Sequence, residues 1–231
     1  MQETNRLFSY KMKADTGFAP NPFGGFLTLA TCKPYIRESK NVDDWIAGFT
    51  SVELNNKYNQ KQMSIHGGAY IPRPREAKLL IYLMQVTKKI TFEEYWKNKK
   101  YQNRKPNVDS EIFIERKGDN IYKPLSNGAY EQVLNMDHDE KDREHDLKSI
   151  YILISNRFYY FGRNPLKIDE NICSKIPEKQ TCNGVETKDQ QRINSFISFI
   201  KSKGSYGIYS KPHKWCSNDN SWEKDENYIK P

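Results

Sequence analysis

The chain has 231 residues, enough for one large domain or for one domain with an appended lobe, since domains commonly run about 100 to 200 residues. It is polar, with 29% charged and 36% hydrophobic residues, yet 15 Tyr, 11 Phe and 4 Trp supply the aromatic bulk that disordered chains lack, so it should fold. No stretch approaches the roughly 18 apolar residues of a membrane span, and MQETNRLF lacks the apolar core of a signal peptide, so the expectation is a cytoplasmic protein whose four cysteines, none in CxxC spacing, are reduced thiols.

The net charge of +8 is unevenly placed. Residues 1–105 hold 18 Lys or Arg against 9 Asp or Glu, while residues 106–231 hold 19 against 20. A basic excess gathered on one part of a chain suits phosphate, although a merely soluble basic surface has the same composition.

In chain order, RLFSYKM at 6–12 alternates apolar and polar residues and reads as a first strand. The next block, Asp15 to Arg37, sets Phe18, Phe23 and Phe26 among Gly and Pro residues and then adds Cys32, Lys33 and Arg37. A connecting loop gains little from three aromatics unless they pack on a scaffold or offer faces to a base. Thr28 to Cys32 is a short apolar run, and Pro34 suits the first turn of a short helix that would put Lys33 and Arg37 on one side. Trp45 to Phe49 and Leu79 to Val86 read as strands, and the polar stretch between them has loop composition. Thr91 with Glu94 fits a capping box for a short helix FEEYWKNKK. EIFIERK near 111 reads as a strand, and Ile150 to Phe161 as a strand or tight strand pair. Beyond Gly162 the composition shifts, and Asp189 to Ser202 is an amphipathic helix with Ile193, Phe196, Ile197 and Ile200 on one face. The expected organisation is a core over 1–165 and a C-terminal extension over 166–231 whose helix packs on the core.

Several residues carry chemistry worth weighing against a structural role. Phe18, Asn21 and Phe23 suit a base pocket, by stacking and by an amide that pairs with a base edge, or they plug a long loop onto the core. Trp45 and Tyr160, near strand ends, are the other stacking candidates. Lys33 and Arg37 suit phosphate, as do Arg73 and Arg75 in IPRPREAK beside His66 and two glycines, and either pair also reads as solvated surface. Cys32 has an adjacent cation and a helix start beyond Pro34, both of which favour a thiolate, but no histidine partner is assignable and LTLATC also reads as core. Asp15, Cys32 and His66 form the pool for acid, base or nucleophile. MDHDEKDREHD at 136–146, with His138 and His145, reads as a solvated charged turn or helix. Cys173, Cys182, His213 and Cys216 have the count of a zinc site but poor spacing, and no metal or cofactor is expected. Phosphate-loop, HExxH and catalytic-triad signatures are absent from the sequence.

RLFSY at 6–10, TGFAPNPFGGFLTLATCKPYIR at 16–37, DWIAGF at 44–49, LLIYLMQVTKKITFEEYW at 79–96 and YILISNRFYYFG at 151–162 resemble the second of the nucleotide modification associated domains. The likeness covers roughly residues 5–165 in order, and the long gap-free second block is its most specific part. These are phage and bacterial domains found near enzymes that make modified DNA bases. The resemblance implies DNA or a nucleotide as ligand and DNA-modification enzymes as partners, and it assigns no catalytic residue. The strand pattern also resembles the small barrels of the PUA and EVE type, which implies a pocket for a modified or flipped base. Taken together, the expectation is an α+β fold with a curved, mostly antiparallel sheet or PUA/EVE-like barrel and flanking helices. It would act as a nucleic-acid or nucleotide-binding module in DNA base modification or modified-base recognition. An enzyme acting on a nucleotide or base, and a non-catalytic partner of such an enzyme, are the alternatives.

Overall fold

The computed structural model describes residues 5–66, 70–178, 183–215 and 220–229. Its strands are β1 (Leu7–Met12), β2 (Leu27–Leu29), β3 (Trp45–Thr50), β4 (Leu80–Gln85), β5 (Lys88–Thr91), β6 (Tyr122–Pro124), β7 (Tyr130–Gln132), β8 (Tyr151–Ser155), β9 (Arg157–Tyr160), β10 (Val185–Thr187) and β11 (Gly207–Ile208). Its α-helices are α1 (Pro34–Ser39), α2 (Val52–His66), α3 (Phe92–Lys97), α4 (Phe113–Arg116), α5 (Glu140–Asp146) and α6 (Gln190–Lys201). Helices and sheets are mixed, as an α+β fold requires.

Six strands form one open sheet in the order β10-β1-β3-β4-β9-β11. It is not a closed barrel; three of its five pairings are antiparallel, while β1 pairs with β3 and β9 with β11 in parallel. Both faces are covered, so its inner strand β3 is buried throughout. Trp45, Ala47 and Phe49 of β3 point into one core with Leu7, Leu83 and Tyr159, and the apolar face of α6 closes it through Ile193, Phe196, Ile197 and Ile200. Alternate residues such as Ile46, Tyr82, Met84, Phe158 and Tyr160 point the other way, to a second core that takes Leu27, Leu29 and Leu153 from a three-stranded antiparallel sheet, β2-β8-β5. The far side of that small sheet, Ala30, Ile90, Ile152 and Ile154, packs on Phe92 and Tyr95 of α3 and on Tyr122 of the β6–β7 hairpin.

The capped helices form where the sequence places them. Thr91 and Glu94 make the reciprocal capping box of α3, and the Asp189 side chain accepts from the Arg192 amide at the start of α6. Residues 150–161 are a strand pair whose members part company: after Asn156, β8 stays in the small sheet while β9 joins the large one. The polar segment expected to be a loop contains α2, whose buried residues are only Leu54 and Asn55. It docks by polar contacts, Asn55 Nδ2 donating to the carbonyls of Arg75 and Ala77 and Asn59 Nδ2 to that of Arg73. The expected strand at 111–117 is instead the single turn α4, whose Phe113 ring packs edge-on to Trp215 at 4.6 Å. Segment 166–231 supplies both edges of the large sheet, β10 and β11, as well as α6.

Candidate active site

The functional centre is built where β2 leaves the small sheet and α1 begins. Cys32 (φ 53°) and Lys33 (φ 42°) both take left-handed backbone conformations, which cost a non-glycine residue of order 1 kcal/mol or more. A sharp strand-to-helix corner of this kind lifts a side chain clear of its strand, which is why nucleophiles sit on such turns. The surroundings over-determine it. Cys32 N–H donates to Asp146 Oδ1 at 2.6 Å, and the fully buried Arg37 donates from Nε to the Cys32 carbonyl at 2.8 Å. The same guanidinium donates to the carbonyls of Ser149 (2.9 Å), Tyr151 (2.6 Å) and Asp146 (2.5 Å), clamping α1, the end of α5 and β8 together.

The half-buried Cys32 thiol lies 3.2 Å from His138 Nε2, and His138 Nδ1 lies 2.9 Å from Asp146 Oδ2. His138 is positioned by the turn after β7, where its amide and that of Asp137 both donate to Asn135 Oδ1, and the Phe18 ring meets the imidazole edge-on at 5.0 Å. Asp139 and Asp142 form the capping box that starts α5, and Asp146 is its last residue. A carboxylate at a helix C-terminus meets an unfavourable dipole. Here three donors offset it: the Cys32 amide, the imidazole and the Tyr122 hydroxyl at 2.8 Å. Burial and the neighbouring Asp146 push the Tyr122 phenol well above its ordinary range, so it remains a donor.

Burial by itself disfavours the His138 imidazolium, but the hydrogen bonds to Asp146 and Cys32 outweigh it and raise its pKa from 6.5 to about 10. The centre is therefore a thiol, a protonated imidazole and an orienting carboxylate in a row, the arrangement of a nucleophile, its acid–base partner and the group that fixes the tautomer. The three side chains also have metal-binding chemistry, with one ligand atom of each lying within 4.8 Å of the others. However, Asp146 sits on the Nδ1 side of the ring and Cys32 on the Nε2 side, so an ion between sulfur and Nε2 would leave the carboxylate behind the imidazole. That is one protein ligand short of an ordinary catalytic zinc site.

The centre forms one wall of a cavity of about 470 Å³. Tyr10, Met12 and Phe18 give it an apolar side, and Lys13, Lys33 and Lys214 bring cations from three separate segments. Of the residues singled out in the sequence, Phe18, Cys32 and Lys33 meet here. Asn21 and Phe23 do not line this cavity. The Asn21 amide donates to the Lys117 carbonyl and accepts from the Phe23 amide, and the Phe23 ring stacks on Trp215 at 4.9 Å. Arg37 is spent on four carbonyls rather than presented to a phosphate. Trp45 is buried in the α6 core, while His66 at the end of α2 and Arg75 beside Glu76 are exposed.

Asp15 belongs to a second buried array behind the cavity wall. Its Oδ1 accepts from the Tyr160 hydroxyl at 2.5 Å and its Oδ2 from His213 Nδ1 at 2.7 Å. Burial lowers the His213 pKa, so the ring is neutral, Nδ1–H donates to Asp15, and Nε2 accepts from Arg73 Nη1 at 2.6 Å. Arg73 in turn lies 3.4 Å over the Tyr58 ring. His213 is thus engaged without a metal, and of the zinc-count cysteines Cys182 and Cys216 lie outside the described residues.

The residues that sequence reasoning missed are His138, Asp146 and Tyr122 in the centre and Lys13 and Lys214 on the wall. The sequence profile of the family described as Nucleotide modification associated domain 2 matches residues 4–219. The chain belongs to this family. No curated protein and no solved structure is significantly similar to it. The match extends the resemblance beyond residue 165 and takes in β10, α6, β11 and His213.

Proposed function

We propose that this domain is a thiol enzyme of nucleotide modification, in which Cys32 attacks an electrophilic carbon of a nucleotide or base. The observation that carries the reading is the continuous contact Cys32–His138–Asp146 on a cavity wall. The Cys32 sulfur faces the imidazole at 3.2 Å, the pairing that activates a thiol nucleophile. It would add to an sp2 carbon bearing a leaving group, and the bond to that group breaks as His138 passes it the Nε2 proton. Water or an amine would then displace the sulfur, giving its proton back to His138. Asp146 holds the imidazole in register throughout. Nucleophile, acid–base catalyst and orienting group all come from the chain itself.

The family description supports a setting in nucleotide modification, and the reading places the domain in phage or bacterial DNA base modification, acting on DNA or a nucleotide beside other modification enzymes. A module that only binds a base would need the cavity but not a strained cysteine held against a histidine–aspartate pair.

The test is the reactivity of Cys32. An ordinary thiol, with a pKa of about 8.5, is almost wholly protonated at pH 6 and alkylates slowly. Iodoacetamide should label Cys32 at pH 6 at least about tenfold faster than a free model thiol such as glutathione. His138→Asn should abolish the difference. Equal labelling of the two thiols, or no change in the asparagine variant, would return the domain to a binding module.

A further inference from the structure

We infer that the ligand of this cavity is a phosphate-bearing nucleotide, with its phosphate at Lys13, Lys33 and Lys214 and its base against the apolar wall beside Cys32. The inference deepens the thiol-enzyme reading by naming the ligand class, and its binding can be measured without the chemistry.

Charge is the first support. Three lysines line the cavity from the end of β1, the start of α1 and the C-terminal segment. Lys13 and Lys214 are exposed, and among the described residues their ammonium groups make no hydrogen bond or salt bridge. Lys33 Nζ stands 4.9 Å from the centre of the Tyr10 ring. Tyr10 does not neutralise it, because burial keeps that phenol protonated and its hydroxyl is shared with Tyr82 at 2.8 Å.

Two of the three lining carboxylates are already paired with cations. Asp146 serves the centre, Asp137 is paired with Lys117 at 2.8 Å, and Asp142 caps α5. Lys13 and Lys214 are thus left to meet a ligand, with the Lys33 charge beside them, and a phosphate is the compact polyanion that point charges from separate segments would hold.

Size and wall chemistry supply the rest. About 470 Å³ lies within the roughly 300–1,000 Å³ of small-molecule sites, room for one nucleotide and none for a duplex. Tyr10, Met12 and Phe18 give an apolar side of the kind that accepts a base, and Cys32 and Lys33, adjacent in sequence, put the nucleophile next to one of the phosphate cations. A free mononucleotide and a nucleotide turned out of a single strand share this chemistry.

Calorimetric titration of the full chain as Cys32→Ser separates binding from reaction. The probes are the four deoxynucleoside 5′-monophosphates, the four matching deoxynucleosides and a short single-stranded deoxyoligonucleotide. At least one monophosphate should bind about tenfold or more tightly than its nucleoside, the worth of a charge-assisted contact. The preference should fall to near unity in a Lys13→Gln/Lys214→Gln double variant, whose exposed positions leave the melting temperature unchanged. A monophosphate that outcompetes the oligonucleotide identifies the free nucleotide as the source, and the reverse identifies the strand; either supports the phosphate site. Equal binding of nucleoside and monophosphate, an undiminished preference in the double variant, or no binding by any probe would overturn it. Fast selective alkylation of Cys32 in the unsubstituted chain would then leave the thiol reading standing alone.

Discussion

His138 and His213 are two buried histidines with opposite tendencies, and together they set how stability responds to pH. His213 binds its proton less readily in the fold than in the unfolded chain, so stability from this group rises with pH up to about 6.5. His138, with its pKa raised from 6.5 to about 10, contributes stability that is fully present below about 6.5 and is lost as pH rises toward 10. The melting temperature should therefore peak near pH 6.5 and decline through pH 10. In His138→Asn the alkaline decline should flatten while the acid limb persists, and an unchanged alkaline limb would contradict the raised pKa. Neither histidine's partner was legible in the sequence, for a physical reason: 106 residues separate Cys32 from His138 and 198 separate Asp15 from His213, and no local spacing encodes contacts made through sheet topology. What could have pointed to the centre was the stretch 136–146, where His138 and Asp146 bracket α5; its many solvated charges hid the two that are not solvated.

Among the elements, α1 and α5 matter less as helices than as carriers of Arg37 and Asp146. Arg37 reaches four carbonyls on three segments, so its removal leaves several buried acceptors unpaired. Arg37→Ala should cost about 3 kcal/mol or more in urea unfolding, since each unsatisfied buried group costs about 1–3 kcal/mol. Arg37→Lys, which keeps the charge but not the fork, should recover only part of it. A loss below about 1 kcal/mol in the alanine variant would mean that the clamp is not what holds the Cys32 corner. Elements with local signals were legible: the alternation of β1, the reciprocal cap of α3, the apolar face of α6. Two others were not, because their determinants are not periodic. Helix α2 has no apolar stripe and docks through Asn55 and Asn59, and α4 is one turn whose Phe113 and Ile114, following Ile112, imitate a strand.

At the scale of the whole molecule, the basic excess of residues 1–105 predicts weak, sequence-independent attraction to polyanionic strands. Affinity for single-stranded DNA should fall steeply between about 50 and 200 mM salt, the range over which proteins with several phosphate contacts lose orders of magnitude. Affinity that does not change with salt would show that the charge serves solubility alone. The same excess does not map simply onto the surface, because Arg37 and Arg104 are buried, the latter against Asp119.

The Asp15–His213 pair also fixes an order of events during synthesis. The corner bearing Cys32 leaves the ribosome early, and His138 follows more than a hundred residues later. Yet the buried histidine that anchors the neighbourhood of Lys214 emerges only 198 residues after its partner Asp15. Until then the thiol can meet His138 but not a complete cavity wall, so a nascent chain would carry this cysteine in an unfinished site.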